Sequence, residues 1–316
     1  MTKTSFDSAI EDLGERLAGP WRGPRQMLGD QEYDGHASIH DEATAQKLGF
    51  KTATIEGPTH FSQFTPLGEA IWGERWFSEG CLSAHYRNPV FEGEAVRAYM
   101  DKPADGSVQV AIRMEKRDGT EVLRGTAQIG AGGPPTALEA RVGSLEPLKD
   151  AVILHEVTLG LKTGRQAVRM DADQNMGALY PFSLAQKLTK ITEPSAIYAD
   201  AAASPFGRAI IPMEMISVLC QYTARDDRMP LRGPAVGLFA DQEIWLIKGP
   251  LFVGEAYEID REVVFMSGSR RTESLWVKTR VYAPGKDEVL ATMLLNSATM
   301  KESYAPYAEE YAALYG

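Results

Sequence analysis

One phrase occurs twice in this chain at corresponding places: Pro89-Val-Phe-Glu-Gly-Glu94 and Pro250-Leu-Phe-Val-Gly-Glu255. Each copy opens onto the same series of alternating apolar and polar stretches. In the first, strands are expected over Glu94–Met100, Ser107–Lys116 and Glu121–Gly130, with turns at Asp101–Gly106 and Arg117-Asp-Gly-Thr120. In the second, strands are expected over Ala256–Met266, Glu273–Ala283 and Glu288–Met300, with turns at Ser267–Arg270 and Pro284–Asp287. A period of two, broken by short Gly- and Asp-containing turns, predicts an antiparallel meander with one buried face. A chain that carries this series twice is constrained to fold as two copies of one plan.

The stretch before each meander repeats as well. A mostly apolar helix is expected over Pro58–Trp76, with Pro66 and Gly68 as places to kink or split it, and another over Pro212–Ala224. One further strand follows each helix, Cys81–Tyr86 and Ala235–Leu246, and His155 is expected in the first strand of the second half. Between the halves, Ala131-Gly-Gly-Pro-Pro-Thr136 and its continuation to about Asp150 read as an irregular linker. The expected division is an N-terminal half, 1–135, and a C-terminal half, 136–316, each a curved antiparallel sheet around a helix, an α+β class.

Composition narrows the partners. The formal charge is −10, from 33 basic and 43 acidic residues, which argues against a nucleic-acid-binding face. No apolar window is long enough for a membrane-spanning helix, and the first residues lack the apolar stretch of a signal peptide. Two cysteines, Cys81 and Cys220, make neither a disulfide framework nor a zinc site. The expectation is a cytoplasmic protein with a small-molecule partner and no metal or other cofactor. Searches for phosphate-loop, dinucleotide and nucleophile-elbow motifs are negative.

Residues 34–57 carry the most specific signal: Asp34-Gly-His-Ala-Ser-Ile-His40, then Asp41-Glu-Ala-Thr-Ala-Gln-Lys-Leu-Gly-Phe50, then Ile55-Glu-Gly57 and the helix at Pro58. This resembles the motif of the MaoC-like hydratases, and with the duplicated plan it implies a tandem, or double, hot-dog fold. There are departures. The Asp-to-His spacing is longer by one residue, Ala37 and Ser38 stand for the motif Asn and Pro, and Glu56 stands for the His before the glycine. In the second half Tyr198 falls at the His position and Met213 at that of the glycine.

The resemblance implies hydration or dehydration of an enoyl or 3-hydroxyacyl thioester, with CoA as the expected carrier. Asp34 and His40 would share a catalytic water, and the Gly57 N–H, at a helix start, would stabilise charge on the thioester oxygen. His36, Glu56, His60, Tyr198 and Met213 are expected around the substrate, the second half supplying apolar walls. Plainer readings stand beside these. Tyr-Asp-Gly is a common turn phrase, His40 adjoins Asp41, a natural helix cap, and Glu56 suits the positive end of a helix. Two other functions stay open: a hot-dog thioesterase working through Glu56 or Glu69, and a non-catalytic binder of acyl or aromatic ligands. Pairing of whole chains as a homodimer fits the usual symmetry of oligomers.

Overall fold

The computed structural model describes residues 4–33 and 36–316. Its strands are β1 (Glu11–Asp12), β2 (Arg16–Ala18), β3 (Glu32–Tyr33), β4 (His36–Ala37), β5 (Gly80–Tyr86), β6 (Val96–Asp101), β7 (Gln109–Lys116), β8 (Glu121–Ile129), β9 (Gln166–Arg169), β10 (Gly237–Leu246), β11 (Ala256–Gly268), β12 (Thr272–Tyr282) and β13 (Val289–Met300). Its α-helices are α1 (Glu42–Lys47), α2 (Thr65–Trp72), α3 (Arg75–Glu79), α4 (Ala137–Ser144), α5 (Leu184–Leu188), α6 (Met213–Gln221) and α7 (Tyr307–Tyr315).

All but β3 and β4 join one sheet in the order β1-β2-β6-β7-β8-β5-β10-β13-β12-β11-β9. Every pairing in it is antiparallel. The order reads outward from the β5–β10 seam in the same way on both sides. On one side come the last strand of the meander, its middle, its first and then β2 and β1; on the other come the three counterpart meander strands and then the single short strand β9. The seam runs from Cys81 opposite Trp245 to His85 opposite Asp241. Duplication is therefore expressed as a pseudo-two-fold sheet, and one hydrophobic core, including Phe61, Phe64, Leu123, Ile216, Leu219 and Ile259, runs through both halves. No helix of the described residues is long and apolar enough to cross a membrane.

The first central helix departs from the expected single span. It begins as a 3₁₀ helix over Gly57–Phe64, continues as α2, and restarts as α3. Pro66 explains the change of winding. In an α-helix the Ser62 carbonyl would receive the N–H of residue 66, which proline lacks. Instead the Thr65 N–H bonds Ser62, the tighter 3₁₀ spacing. The second break lies at Gly73, whose φ of 61° ends α2. Gly68 is not a break: a Cβ there would lie 2.3 Å from the Trp76 ring, so it lets α2 and α3 pack closely.

Two other expectations are corrected. The segment read as an irregular linker holds α4, started by a capping box: Thr136 accepts from the Glu139 N–H and Glu139 from the Thr136 N–H. Helix α4 lies against β5, β8 and β10. The second correction is His155, which sits exposed in a turn rather than in a strand. Its neighbours Val152 and Leu154 give their N–H groups to the Glu273 carboxylate instead of to a ladder.

Candidate functional site

A pocket of about 260 Å³ opens at one end of the β5–β10 seam. Tyr86 ends β5 there, and Gly237–Ala240 begin β10. The segment before the 3₁₀ helix supplies His40, Thr54 and Glu56, and the helix itself supplies Gly57, Pro58 and His60. Tyr180 enters from the second half. Most of the exposed lining is apolar, with a few polar groups converging, which is the usual composition of a small-molecule site.

His40 stands in the turn before α1. Its neighbour Asp41 caps that helix through the Thr44 N–H, so the cap and the imidazole are different residues. The His40 Nδ1 lies 2.7 Å from the Thr54 carbonyl oxygen. A carbonyl only accepts, so Nδ1 carries the proton and Nε2 keeps its lone pair. Burial lowers the His40 pKa, against the raising effects of Glu56 and the Thr54 carbonyl. The ring is therefore neutral at pH 7 and its Nε2 is a base.

The 3₁₀ winding decides what else reaches the pocket. With three residues per turn, side chains three apart stack on one face. Pro58, Phe61 and Phe64 form an apolar face, of which Phe61 and Phe64 lie in the core, while Glu56, Thr59, Ser62 and Thr65 form a polar one. Both faces are buried. The polar face meets groups from the second half. Thr59 Oγ1 donates to Glu56 Oε2 at 2.7 Å and accepts from Lys187 Nζ at 3.0 Å. Lys187 Nζ stands 3.6 Å from Glu56 Oε1, which also accepts from the Met27 N–H at 3.3 Å. Burial alone would raise the Glu56 pKa; Lys187, His40 and Thr59 outweigh it, and Glu56 ends below its ordinary value. Lys187 likewise ends above its ordinary value, since Glu56 and Glu214 overcome the effect of burial. The pair is ionised in the interior.

Gly57 has a steric duty. A Cβ there would fall 2.6 Å from Tyr86 Cζ, so the missing side chain makes room for the Tyr86 ring. The Tyr86 hydroxyl donates to Gln242, whose amide donates to Ser217 on α6. Pro58 has no N–H and the Thr59 N–H turns back to the Glu56 carbonyl. That leaves the Gly57 N–H at the helix start, where unpaired N–H groups and partial positive charge collect. His60 is fully buried, its Nδ1 has no hydrogen-bond partner among the described residues, and burial pushes its pKa down to about 4.

Of the residues singled out from sequence, the pocket gathers His40, Glu56, Gly57 and His60. Asp34 lies outside the described residues. His36 falls in β4, which pairs with β3. Tyr198 and Met213 line a separate void of about 20 Å³ with Thr65 and Trp76 rather than the pocket. Glu69 is turned to the N-terminal segment, where its carboxylate accepts from the Ser5 N–H and hydroxyl. Sequence reasoning missed Lys187, Glu214, Thr54 and Tyr86. The spacing of Glu56, Thr59, Ser62 and Thr65 by threes was a readable sign of the polar face. Ser183-x-x-Gln186, a capping box, was a sign of the helix that carries Lys187.

No protein-family model matches the chain, and no curated protein does. Among solved structures it is similar to a MaoC domain protein named as a dehydratase from Chloroflexus aurantiacus J-10-fl, at 14% identity and a TM-score of 0.54, over 93% of this chain and 95% of that one. It is also similar to a Mycobacterium tuberculosis protein described as having a double hotdog fold, at 11% identity and a TM-score of 0.53, over 93% of this chain and 96% of that one. The likeness is one of architecture. The chain has the double hot-dog fold expected from its repeated plan.

Proposed function

We propose that the pocket binds an acyl thioester, with CoA as the carrier, and that the protein hydrates an enoyl thioester or dehydrates the 3-hydroxyacyl form. The observation that carries this reading is His40. It is a neutral imidazole lining an apolar pocket, fixed through Nδ1 on the Thr54 carbonyl, beside a helix start. In the dehydration direction, His40 Nε2 takes the proton from the carbon next to the thioester carbonyl. Electron density moves onto the carbonyl oxygen, which the Gly57 N–H stabilises. The bond from the β-carbon to its hydroxyl then breaks, and the departing oxygen takes up the proton that His40 removed and leaves as water, which returns His40 to its neutral form. Hydration is the reverse. Asp34 is proposed as the second acid–base group, orienting that water.

The state of Glu56 favours this reading over a thioesterase. A carboxylate that activates water needs an oxygen free to receive its proton. Glu56 is held by Thr59, Met27 and Lys187, and its lowered pKa makes it a weaker base. Its fitting role is that of a fixed charge behind the pocket. The test is a set of enoyl-CoA and 3-hydroxyacyl-CoA substrates, followed for loss or gain of the conjugated double bond and for free thiol. Interconversion without thiol release is expected. Thiol release would transfer the reading to a thioesterase, and binding without either change would leave a carrier or sensor of acyl groups.

A further inference from the structure

Behind Glu56 the pocket wall covers a second, smaller chamber of about 20 Å³. It shares Glu56, Pro58 and Tyr180 with the main pocket, so the two spaces adjoin along those side chains. Phe182, Met215 and Val218 give it apolar sides, and Lys187, Glu214 and Ser217 give it a polar end. Glu214 is the unusual member. It is 2% exposed, and neither carboxyl oxygen has a hydrogen-bond partner among the described residues. The Ser62 hydroxyl is near enough to pull its pKa down but is not placed to bond it. A buried polar group without a partner costs free energy and asks for an explanation.

We infer that this chamber is a binding subsite for one hydroxyl group, carried on the acyl part of the substrate beyond the reacting carbons. Size, charge and donor count each support that ligand. A chamber of this volume holds about one water-sized group. The Glu56–Lys187 pair already cancels, and Glu214, pushed by burial up to about 7, is about half protonated at pH 7 and more fully so below it. A carboxylate would therefore add an unpaired buried charge, whereas a hydroxyl adds none. A protonated carboxyl donates through one oxygen and accepts through the other, so it can serve both the lone pair and the proton of a hydroxyl. Lys187 has three N–H donors, of which one goes to Thr59 and one faces Glu56, leaving a third.

The inference rests on the acyl-thioester reading, and the experiment separates the two. Straight-chain enoyl-CoA thioesters of increasing length are prepared in pairs, one ending in a methyl and one in a hydroxymethyl group. Turnover and calorimetric affinity are measured for the wild type, Glu214→Gln and Glu214→Leu. At the length that reaches the chamber, the wild type should favour the hydroxylated member by at least about tenfold in kcat/KM, because a site built to bond a hydroxyl is left unpaired without it. Glu214→Gln, which still donates and accepts, should keep the preference, and Glu214→Leu should abolish it. Hydroxyl preference in binding without turnover would uphold the subsite and overturn the proposed reaction. Turnover with no preference at any length would overturn the subsite, leaving it a place for a water molecule. A preference that survives Glu214→Leu would also overturn the assignment. The wild-type ratio alone decides if that variant does not fold.

Discussion

His40 and Gly57 illustrate how one residue type acquires its role from its surroundings. With Nδ1 held by Thr54, the His40 ring is fixed in one tautomer, and burial keeps it neutral. The acid limb of kcat/KM should therefore fall below the ordinary histidine value, since activity is lost only when falling pH protonates Nε2. Changing His40 to Ala or Asp34 to Asn should each lower turnover by about 10²-fold or more, with losses that do not add in the double variant. Kinetics on a confirmed substrate checks this, and near-normal turnover in both single variants would remove the pair from the mechanism. Gly57→Ala places a methyl against the Tyr86 ring. Overpacking of this kind costs roughly 1–3 kcal/mol. Denaturant titration should show that loss, and Tyr86→Leu in the same chain should recover part of it. If Gly57→Ala is as stable as the parent, the steric account of Gly57 is wrong.

At the scale of elements, the start of the 3₁₀ helix, α5 and α6 come together around a buried charge cluster of Glu56, Lys187 and Glu214. Removing one partner of such a pair leaves the other charge buried. Lys187→Met should destabilise the protein by about 3–5 kcal/mol. Adding Glu56→Gln should return much of that, because the uncompensated carboxylate is gone; additive losses in the double variant would refute the coupling. Glu214 gives a pH signature of opposite sign to that of a paired carboxylate. Its pKa rises from 4.5 to about 7 in the folded protein. The folded state thus holds the proton more tightly, and the resulting stability is complete below pH 4.5 and lost as pH rises through about 7. Thermal melts should show wild-type stability declining from pH 6 to 8 relative to Glu214→Gln, which does not titrate. His60 works from the other side: its pKa is depressed to about 4, so its contribution is present above 6.5 and lost as pH falls through about 4.

At the scale of the molecule, the two halves share a continuous sheet, a common core and the ion pair between Glu56 and Lys187. Helix α4 adds a clasp on the other side of the seam. Arg141 Nε lies 2.9 Å from Asp241 Oδ1, which also meets His85 Nδ1 at 2.6 Å, and the Leu138 N–H donates to Ser83. Asp241 belongs to β10, and His85 and Ser83 to β5, so the clasp spans the strands that join the halves. Unfolding should therefore be a single cooperative transition. Calorimetry checks this: agreement of the calorimetric and van't Hoff enthalpies is expected, and two resolved transitions would mean that the halves are independent units.

The repeat of Pro-x-Phe-x-Gly-Glu, the period-two alternation and the turn residues determined the two meanders and the two central helices, because each of these is a local property of the backbone and of the side chains next to it. His40, Glu56, Gly57 and His60 were legible for a related reason: they cluster within the one stretch of sequence that leads into the first helix. The partners of that stretch were not legible. Lys187 lies 131 positions after Glu56, and nothing near it in the chain distinguishes it from a solvated lysine. Glu214, between Met213 and Met215, reads as an acidic residue in an apolar helix until the facing helix is in place. Whether such a group is ionised, neutral or bonded is set by burial and by charges from distant segments, which exist together only once the sheet has closed around both helices. The winding of residues 57–64 stands between the two levels. Pro66 decides it locally, but the consequence, a polar face of Glu56, Thr59, Ser62 and Thr65 turned toward the second half, arises only in the packed molecule.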